Sequence, residues 1–520
     1  MGKLRDAYVH SVEYSSCDES LFHERMGAWK IFLPATPTMA ILAIGVSKYV
    51  LVSLARSWNV VHALNVERRD FYWSLQQLQK VGFRGRLSEI ESRDLLPCSY
   101  GSIAIDVDSG RNLNLQSMLE LLAPGGAIAW FGGHANLLSA HDLSEAGYVD
   151  SRRYALLPPD GLRIILPLND SRLTKAGLRL FVPAKAINRL AVNVARFLSL
   201  AGYQRFLGIR QVVVARKKGN LPGASYILDW MSQQLNRPVT DATVHPGTND
   251  ADGVRKPTLQ LLDNHGQVIG IAKLADMDGA RKAIDRETFT LKRLNTFSDI
   301  RAAIPTIITN GEWNGHAVQV QSAVGPGKKR FCPNIQNEHL QFLICLSKVD
   351  RTYGVLEKWR HWPTIWHWAQ NTNPTPPNHI NSLSTLLTTS ADKLKGLILP
   401  FHRIHGDFAP WNVLIGKNTI SVVDWEQSDA DGLPLYDLVY FLTRRIANDN
   451  MMAHNAAWFF HTSQSIIKDH YSIITKYIQN NASLKLDGLT HDSLEACLSL
   501  CTCIIYREIQ TKLPLVCNKY

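Results

Sequence analysis

The chain reads as two successive folding units, an α/β domain followed by a domain of mixed strands and helices. Three observations carry that expectation. At 520 residues the chain exceeds what a single hydrophobic core organises. Between Ala40 and Lys217, short apolar runs of strand type alternate with helix-patterned segments, the order of an α/β sheet. Further on, the strand signals come as hairpins, Leu259–Leu262 with Val268–Leu274 and Val413–Ile415 with Ile420–Val423.

Composition sets the outer limits. Apolar content of 45% and charged content of 19% are those of a globular protein, without low-complexity tracts or internal repeats. The formal charge of +11 is spread along the chain with no run of five basic residues. Such a diffuse balance suits attraction for anionic nucleotides and argues against a nucleic-acid partner. The start, Met1-Gly-Lys-Leu-Arg-Asp6, lacks a signal peptide, and Asp6 spoils a myristoylation motif. The longest apolar stretch, Met39–Leu54, is broken by Lys48 and too short to cross a bilayer. The final Cys517-Asn-Lys-Tyr520 is not a prenylation box. Eight scattered cysteines read as reduced thiols, with Cys497, Cys501 and Cys503 on an apolar helical pattern and so in the core. A cytoplasmic protein without a membrane partner is the expectation.

In the front segment, Ala40–Gly45 reads as a strand, Lys48–Ser57 as a helix, and Asn59–Glu67 as a strand ending in an acid. Gly101–Asp106 is the next strand, followed by a helix Leu115–Leu122, a turn Ala123–Gly126 and a strand Ala127–Trp130. Leu198–Tyr203 and Arg210–Lys217 close the segment, while Gly147–Arg189 interrupts the order as an insertion. The succession resembles the class I S-adenosylmethionine methyltransferase fold, a Rossmann-like sheet. The resemblance is carried by Leu-Leu-Ala-Pro-Gly-Gly126 before the fifth strand, Leu198-Ser-Leu-Ala-Gly-Tyr203, and the closing Ala-Arg-Lys217. It implies Glu67 as the ribose-binding acid. The cofactor turn departs from the family: Gly45-Val-Ser-Lys48 has one glycine and a lysine where backbone must approach the cofactor. A degenerate module, an active methyltransferase using S-adenosylmethionine, and an unrelated α/β domain all stay open.

The chemistry-bearing block lies between His405 and Asp437. It reads His405-Gly-Asp407-Phe-Ala-Pro-Trp-Asn412, then Val422-Val-Asp424-Trp425, then Gly432-Leu-Pro-Leu-Tyr-Asp437. Phosphoryl transfer asks for one carboxylate to orient the attacking hydroxyl and oxygen ligands to hold magnesium. Asp407, Asn412 and Asp424 are those residue types, the latter two at the outer ends of a hairpin whose turn is Gly416–Thr419.

This block resembles the aminoglycoside phosphotransferase and choline kinase superfamily, which has a bilobal α+β protein-kinase-like fold. The resemblance implies Asp407 as the catalytic aspartate, Asn412 and Asp424 as metal ligands, Asp437 as the buried brace of the loop, and His405 as a structural member. It also demands a strand lysine and a helix glutamate upstream. Lys273, on the second strand of the Leu259–Leu274 hairpin, and Glu287, heading the helical spacing Glu287, Leu291, Leu294, answer that demand. The phosphate-covering loop falls in His245–Lys256, with Gly247 and Gly253 but no full glycine motif. The adenine hinge falls in Ala317–Ser322, which contains Gln319 and Gln321. The expected boundaries are 1–218 for the α/β domain, 222–322 for the N-lobe and 323–520 for the C-lobe.

Charge bears on the acceptor. From Pro333 to Pro400 four acids (Glu338, Asp350, Glu357, Asp392) face six Lys or Arg, and after Phe441 six acids face eight. A polycationic aminoglycoside would call for an acid-lined pocket, so a sugar, polyol or amino alcohol is favoured. Trp359, Trp362, Trp366 and Trp368 are interleaved with His361 and His367, and such a stripe reads as core packing before sugar stacking. The expected function is an ATP- and magnesium-dependent phosphotransferase acting on a small-molecule hydroxyl. The alternatives are a bifunctional kinase and methyltransferase, and a non-catalytic scaffold with both halves degenerate.

Overall fold

The computed structural model describes residues 27–512 apart from short internal stretches, the longest being 181–192, 248–255, 372–382 and 445–455. The chain divides into two compact units. The first comprises Met1–Asn249, Gly253–Ala280 and Ile308–Gln321, the second Asp250–Asp252, Arg281–Ile307 and Ser322–Tyr520.

The first unit is built on one sheet. Its strands are β1 (Ala40–Ile44), β2 (Val60–Leu64), β3 (Arg86–Glu89), β4 (Tyr100–Asp106), β5 (Leu122–Gly133), β6 (Tyr148–Leu157), β7 (Ile164–Pro167) and β8 (Arg210–Lys217). They continue as β9 (Asp241–His245), β10 (Thr258–Leu262), β11 (Val268–Ala275), β12 (Ile307–Trp313) and β13 (His316–Gln321). Among the described residues the order is β12-β13-β11-β10-β9-β7-β6-β8-β5-β4-β1-β2-β3. The stretch β3-β2-β1-β4-β5 is parallel, with β8 antiparallel against β5. Strand order reverses between β1 and β4, which makes this part a Rossmann-like sheet. Its central strands are apolar because both faces are covered: Ile41–Ile44 and all of β4 are buried. Helices Lys48–Ala55 and Arg68–Lys80 supply Leu51, Leu54, Phe71 and Leu78 to that core.

Two features differ from expectation. The turn at Ala123–Gly126 does not precede the fifth strand but lies within it, since β5 begins at Leu122. Gly125 permits this at φ +76°, where a Cβ would stand 2.5 Å from the backbone nitrogen of Leu221. The interrupting segment 147–189 is the second. Within it Tyr148–Leu157 form β6 and Ile164–Pro167 form β7, residues 158–163 and 181–189 lying outside the described residues, and β7 pairs with β9 at Ile165 and Val244. The strands that carry Lys273 therefore extend the Rossmann-like sheet edge to edge. Tyr154 of β6 fastens this join by donating to Asp241 of β9 at 2.9 Å, with Phe32 stacked on its ring. Burial pushes the Asp241 carboxyl up to about 6.

The second unit is mainly helical. Its strands are β14 (Arg330–Phe331), β15 (Thr352–Gly354), β16 (Leu399–Ile404), β17 (Val413–Gly416), β18 (Thr419–Val422) and β19 (Asp429–Gly432), in two small sheets. The hairpin expected around Gly416 is β17 and β18, and its turn residues 417–418 lie outside the described residues. Phe408, Trp425 and Phe441 are fully buried in the core of this unit. Helix His491–Lys512 runs beside it with Cys497, Cys501 and Cys503 buried, the first two thiols directed at the Pro434 carbonyl. The tryptophan stripe packs as core. Trp359 is buried and stacked on Phe401, and Trp362 meets Trp366 at 5.4 Å on helix Trp362–Asn371. Among the described residues, no helix is long and apolar enough to cross a membrane.

Candidate active site

The loop after β16 begins with a backbone only glycine accepts. Gly406 sits at φ +81°, and a Cβ there would lie 2.2 Å from the carbonyl oxygen of Gln427. Asp437, in the first turn of helix Tyr436–Arg444, holds this turn from below. Its Oδ2 accepts from the His405 N–H at 2.7 Å and its Oδ1 from the Gly406 N–H at 3.0 Å. Burial pushes the Asp437 carboxyl up to about 7, against the lowering effect of those two donors.

His405 is fully buried and ties two segments together. Its Nε2 meets the Val423 carbonyl at 3.0 Å, and its Nδ1 meets the Asp407 N–H at 3.2 Å. That pairing is satisfied by the neutral tautomer with the proton on Nε2. Burial lowers the imidazole from its ordinary range, which agrees with a neutral ring.

Asp407 projects from the loop with each carboxylate oxygen on a neutral donor. Oδ1 accepts from the Tyr440 hydroxyl at 2.7 Å and Oδ2 from Asn412 Nδ2 at 2.8 Å. Asn412 Nδ2 also reaches the Asp407 carbonyl at 2.9 Å, so the amide is orientated with Oδ1 as its remaining ligand atom. Asp424 follows β18 at φ +71°, an uncommon conformation for a residue with a side chain. Glu287, completely buried on helix Asp278–Leu294, accepts from the next backbone N–H, that of Trp425, at 3.2 Å. Asn412 thus lies against the fixed Asp407 carboxylate, and Asp424 follows the strand that pairs with the one after Asn412. Hard oxygen donors of this kind suit magnesium, which takes a few protein oxygens and completes its shell with water and phosphate.

The other expected nucleotide residues lie in the sheet unit. Lys273 stands on β11 between Thr258 of β10 and Gln319 of β13 and is buried. Gln321 ends β13, also buried, and Gly247 follows β9 at φ +89°. The rest of the glycine-bearing loop, 248–255, lies outside the described residues.

Sequence reasoning missed three residues around Asp407. Tyr440 is one, and Arg444 and Trp411 are the others. The Arg444 guanidinium lies 5.2 Å from the Trp411 ring and 5.6 Å from that of Tyr440. The spacing Asp437, Tyr440, Arg444 places all three on one helix face, but nothing in that spacing marks Tyr440 as a partner of Asp407. A second missed group is Arg360 with His361, which pair with Asp429 and Asp431 of β19. Burial alone would raise Asp429, but the hydrogen bond from His361 and the Arg360 charge hold it down at about 2.

At the strand ends of the Rossmann-like part, two of the acids meet cations. Asp106 pairs with Arg210 at 2.8 Å, and Glu67 with Arg69 at 3.0 Å in the open. The Lys48 ammonium covers the Trp73 ring at 4.5 Å. The feature that suits an adenosyl cofactor is Glu67, whose exposed carboxylate is of the type that accepts ribose hydroxyls. The single-glycine turn, with Gly45 at φ +62°, does not reproduce a glycine-rich cradle.

Residues 345–461 match the model of the phosphotransferase enzyme family, a span that includes the whole block from His405 to Asp437. The C-terminal half therefore carries a phosphotransferase-family domain. No curated protein matches the chain. Among solved structures, phosphoethanolamine N-methyltransferase 2 of Haemonchus contortus is 14% identical over 39% of this chain, with a TM-score of 0.24. The chain spans 57% of that nematode enzyme's length. YcgJ of Bacillus subtilis is 10% identical over 38% of this chain and its own entire length, also at a TM-score of 0.24.

Proposed function

We propose that the protein is an ATP- and magnesium-dependent phosphotransferase that moves the γ-phosphoryl group to a hydroxyl of a small molecule. A sugar, polyol or amino alcohol fits better than a polycationic aminoglycoside, because Asp429 and Asp431 are already matched by Arg360 and His361. The observation that carries the reading is the clamp on Asp407, held by Tyr440 and Asn412 on a loop braced by Asp437. Neutral donors fix the carboxylate without cancelling its charge, so it can orient the acceptor hydroxyl and take its proton as the oxygen–phosphorus bond forms. ADP leaves with the electron pair of the broken bond. Magnesium, held by Asn412 Oδ1 and Asp424, would neutralise charge on the β- and γ-phosphates. Lys273 would steady the phosphates, and Gln319 and Gln321 would lie along the adenine hinge. Glu287 would fix the backbone after Asp424 through its bond to Trp425.

A second reading adds methyl transfer in the Rossmann-like part, and exposed Glu67 favours it. Saturable S-adenosylmethionine binding that is lost in Glu67→Ala would support it. A purely non-catalytic scaffold is disfavoured by the assembled Asp407, Asn412 and Glu287. The test of the main reading is ADP formation across sugars, polyols, amino alcohols and aminoglycosides, with Asp407→Asn as control. Acceptor-dependent turnover abolished in the control is expected; turnover equal in both proteins would overturn the assignment.

A further inference from the structure

We infer that Trp411 is the platform on which the acceptor stacks, and that the acceptor is a neutral cyclic polyol, a sugar or cyclitol, in preference to a cationic amino alcohol. This rests on the phosphotransferase reading. Trp411 lies in the loop between Asp407 and Asn412 and leaves 47% of its surface exposed, whereas Phe408 of the same loop is fully buried. A large apolar ring held open on the loop that carries the reacting carboxylate is a surface that a ligand ring can cover.

The ring is also supported. Arg444 packs its guanidinium 5.2 Å from the Trp411 centroid and 5.6 Å from that of Tyr440, and only 9% of the arginine is exposed. Tyr440 in turn donates to Asp407 Oδ1 at 2.7 Å. Indole, guanidinium, phenol and carboxylate form one continuous chain, so the platform and Asp407 are fixed with respect to each other.

The arginine decides the class of ligand. Indole attracts cations through the negative charge on its π face. Here that charge already faces a guanidinium. A second cation laid on the ring would share the same quadrupole and be repelled by Arg444 across a poorly screening aromatic layer. A quaternary or primary ammonium is therefore disfavoured on Trp411. A neutral ring whose axial C–H bonds meet the indole carries no such penalty, and its equatorial hydroxyls remain free to reach Asp407.

The test measures ADP formation by the full chain with glucose, ribose and myo-inositol against choline and ethanolamine, in wild type, Trp411→Ala and Trp411→Phe. Magnesium-ATP thermal stabilisation is read on the same proteins. We expect a cyclic polyol to be the preferred acceptor. Its KM should rise about ten-fold in Trp411→Ala, with the nucleotide shift retained and most of the loss recovered in Trp411→Phe. Preference for choline or ethanolamine, or an unchanged KM in Trp411→Ala, would overturn the inference. Magnesium-ATP stabilisation without turnover of any cyclic polyol would overturn the acceptor class and leave the phosphotransferase standing. Absence of nucleotide stabilisation in wild type would overturn both.

Discussion

Asp407 and Asp437 rest on neutral donors, whereas Asp106 and Glu67 of the Rossmann-like part rest on arginines. Asp407 is held by a hydroxyl and an amide, and Asp437 by two backbone N–H groups. Asp106 meets Arg210, and Glu67 meets Arg69. Both arrangements satisfy the oxygens. Neutral donors leave the Asp407 charge uncancelled, whereas the mostly buried Asp106–Arg210 pair cancels the charge that it orders. Asp407 and Asp106 therefore differ in what they are free to do, even though each lies at or just after the end of a strand.

The largest expected effect breaks the comparison at its active side. Asp407→Asn should lower kcat by about 10²–10⁴-fold while the melting temperature stays close to that of the wild type, because the amide oxygen still accepts from Tyr440. Near-normal turnover would remove Asp407 from the chemistry. Next comes the brace. Asp437→Ala strands two buried N–H groups and should cost about 2–5 kcal/mol in denaturant unfolding of the full chain, and Asp437→Asn about half of that.

A smaller effect is a pH slope. Burial holds His339 and His402 down at about 4, so the unfolded chain takes up their protons first. Their contribution is complete above the ordinary histidine value and is lost as pH falls from 6.5 towards 4. Asp437, raised to about 7, acts in the opposite sense and loses stability as pH climbs from its ordinary 3.8 towards 7. His245, lowered to about 4, and His405, also lowered by burial, act with the first pair, while Asp241, raised to about 6, acts with Asp437. The lowered histidines outnumber the raised carboxylates and leave a net loss on acidification of about 1–2 kcal/mol per pH unit between 6 and 4.5. His339→Leu should flatten that slope in a pH series of unfolding curves; an unchanged slope would show that His339 is not held neutral.

The smallest effect sharpens the contrast from the other side. Asp106→Asn removes the counter-charge of a mostly buried arginine and should cost about 1–2 kcal/mol in stability, leaving ADP formation unaltered. If it stopped ADP formation in a folded protein, the acids of the Rossmann-like part would have a part in the reaction.

How much of this was legible depended on how local the cause was. Asp407, Asn412 and Asp424 stood out as candidates because their types and spacing lie within one short block. Strands β1, β4 and β8 could be read because strands buried on both faces are continuously apolar. Tyr440 could not, since three residues past Asp437 it looks like any residue on the buried face of a helix. Only the fold brings its hydroxyl 2.7 Å from Asp407. Strands β6 and β7 read as an interruption for the same reason: β6 pairs with the later β8, and β7 with β9 over some 80 residues of sequence separation. The Asp106–Arg210 pair spans 104 residues and left no local mark.

The proposal that Asp424 helps to hold a metal-bound nucleotide is tested most directly by thermal stabilisation with ATP, with and without magnesium, in wild type and Asp424→Ala. The account predicts a magnesium-dependent rise in melting temperature in the wild type that disappears in the variant. An equal rise in Asp424→Ala, or a wild-type rise indifferent to magnesium, would contradict it.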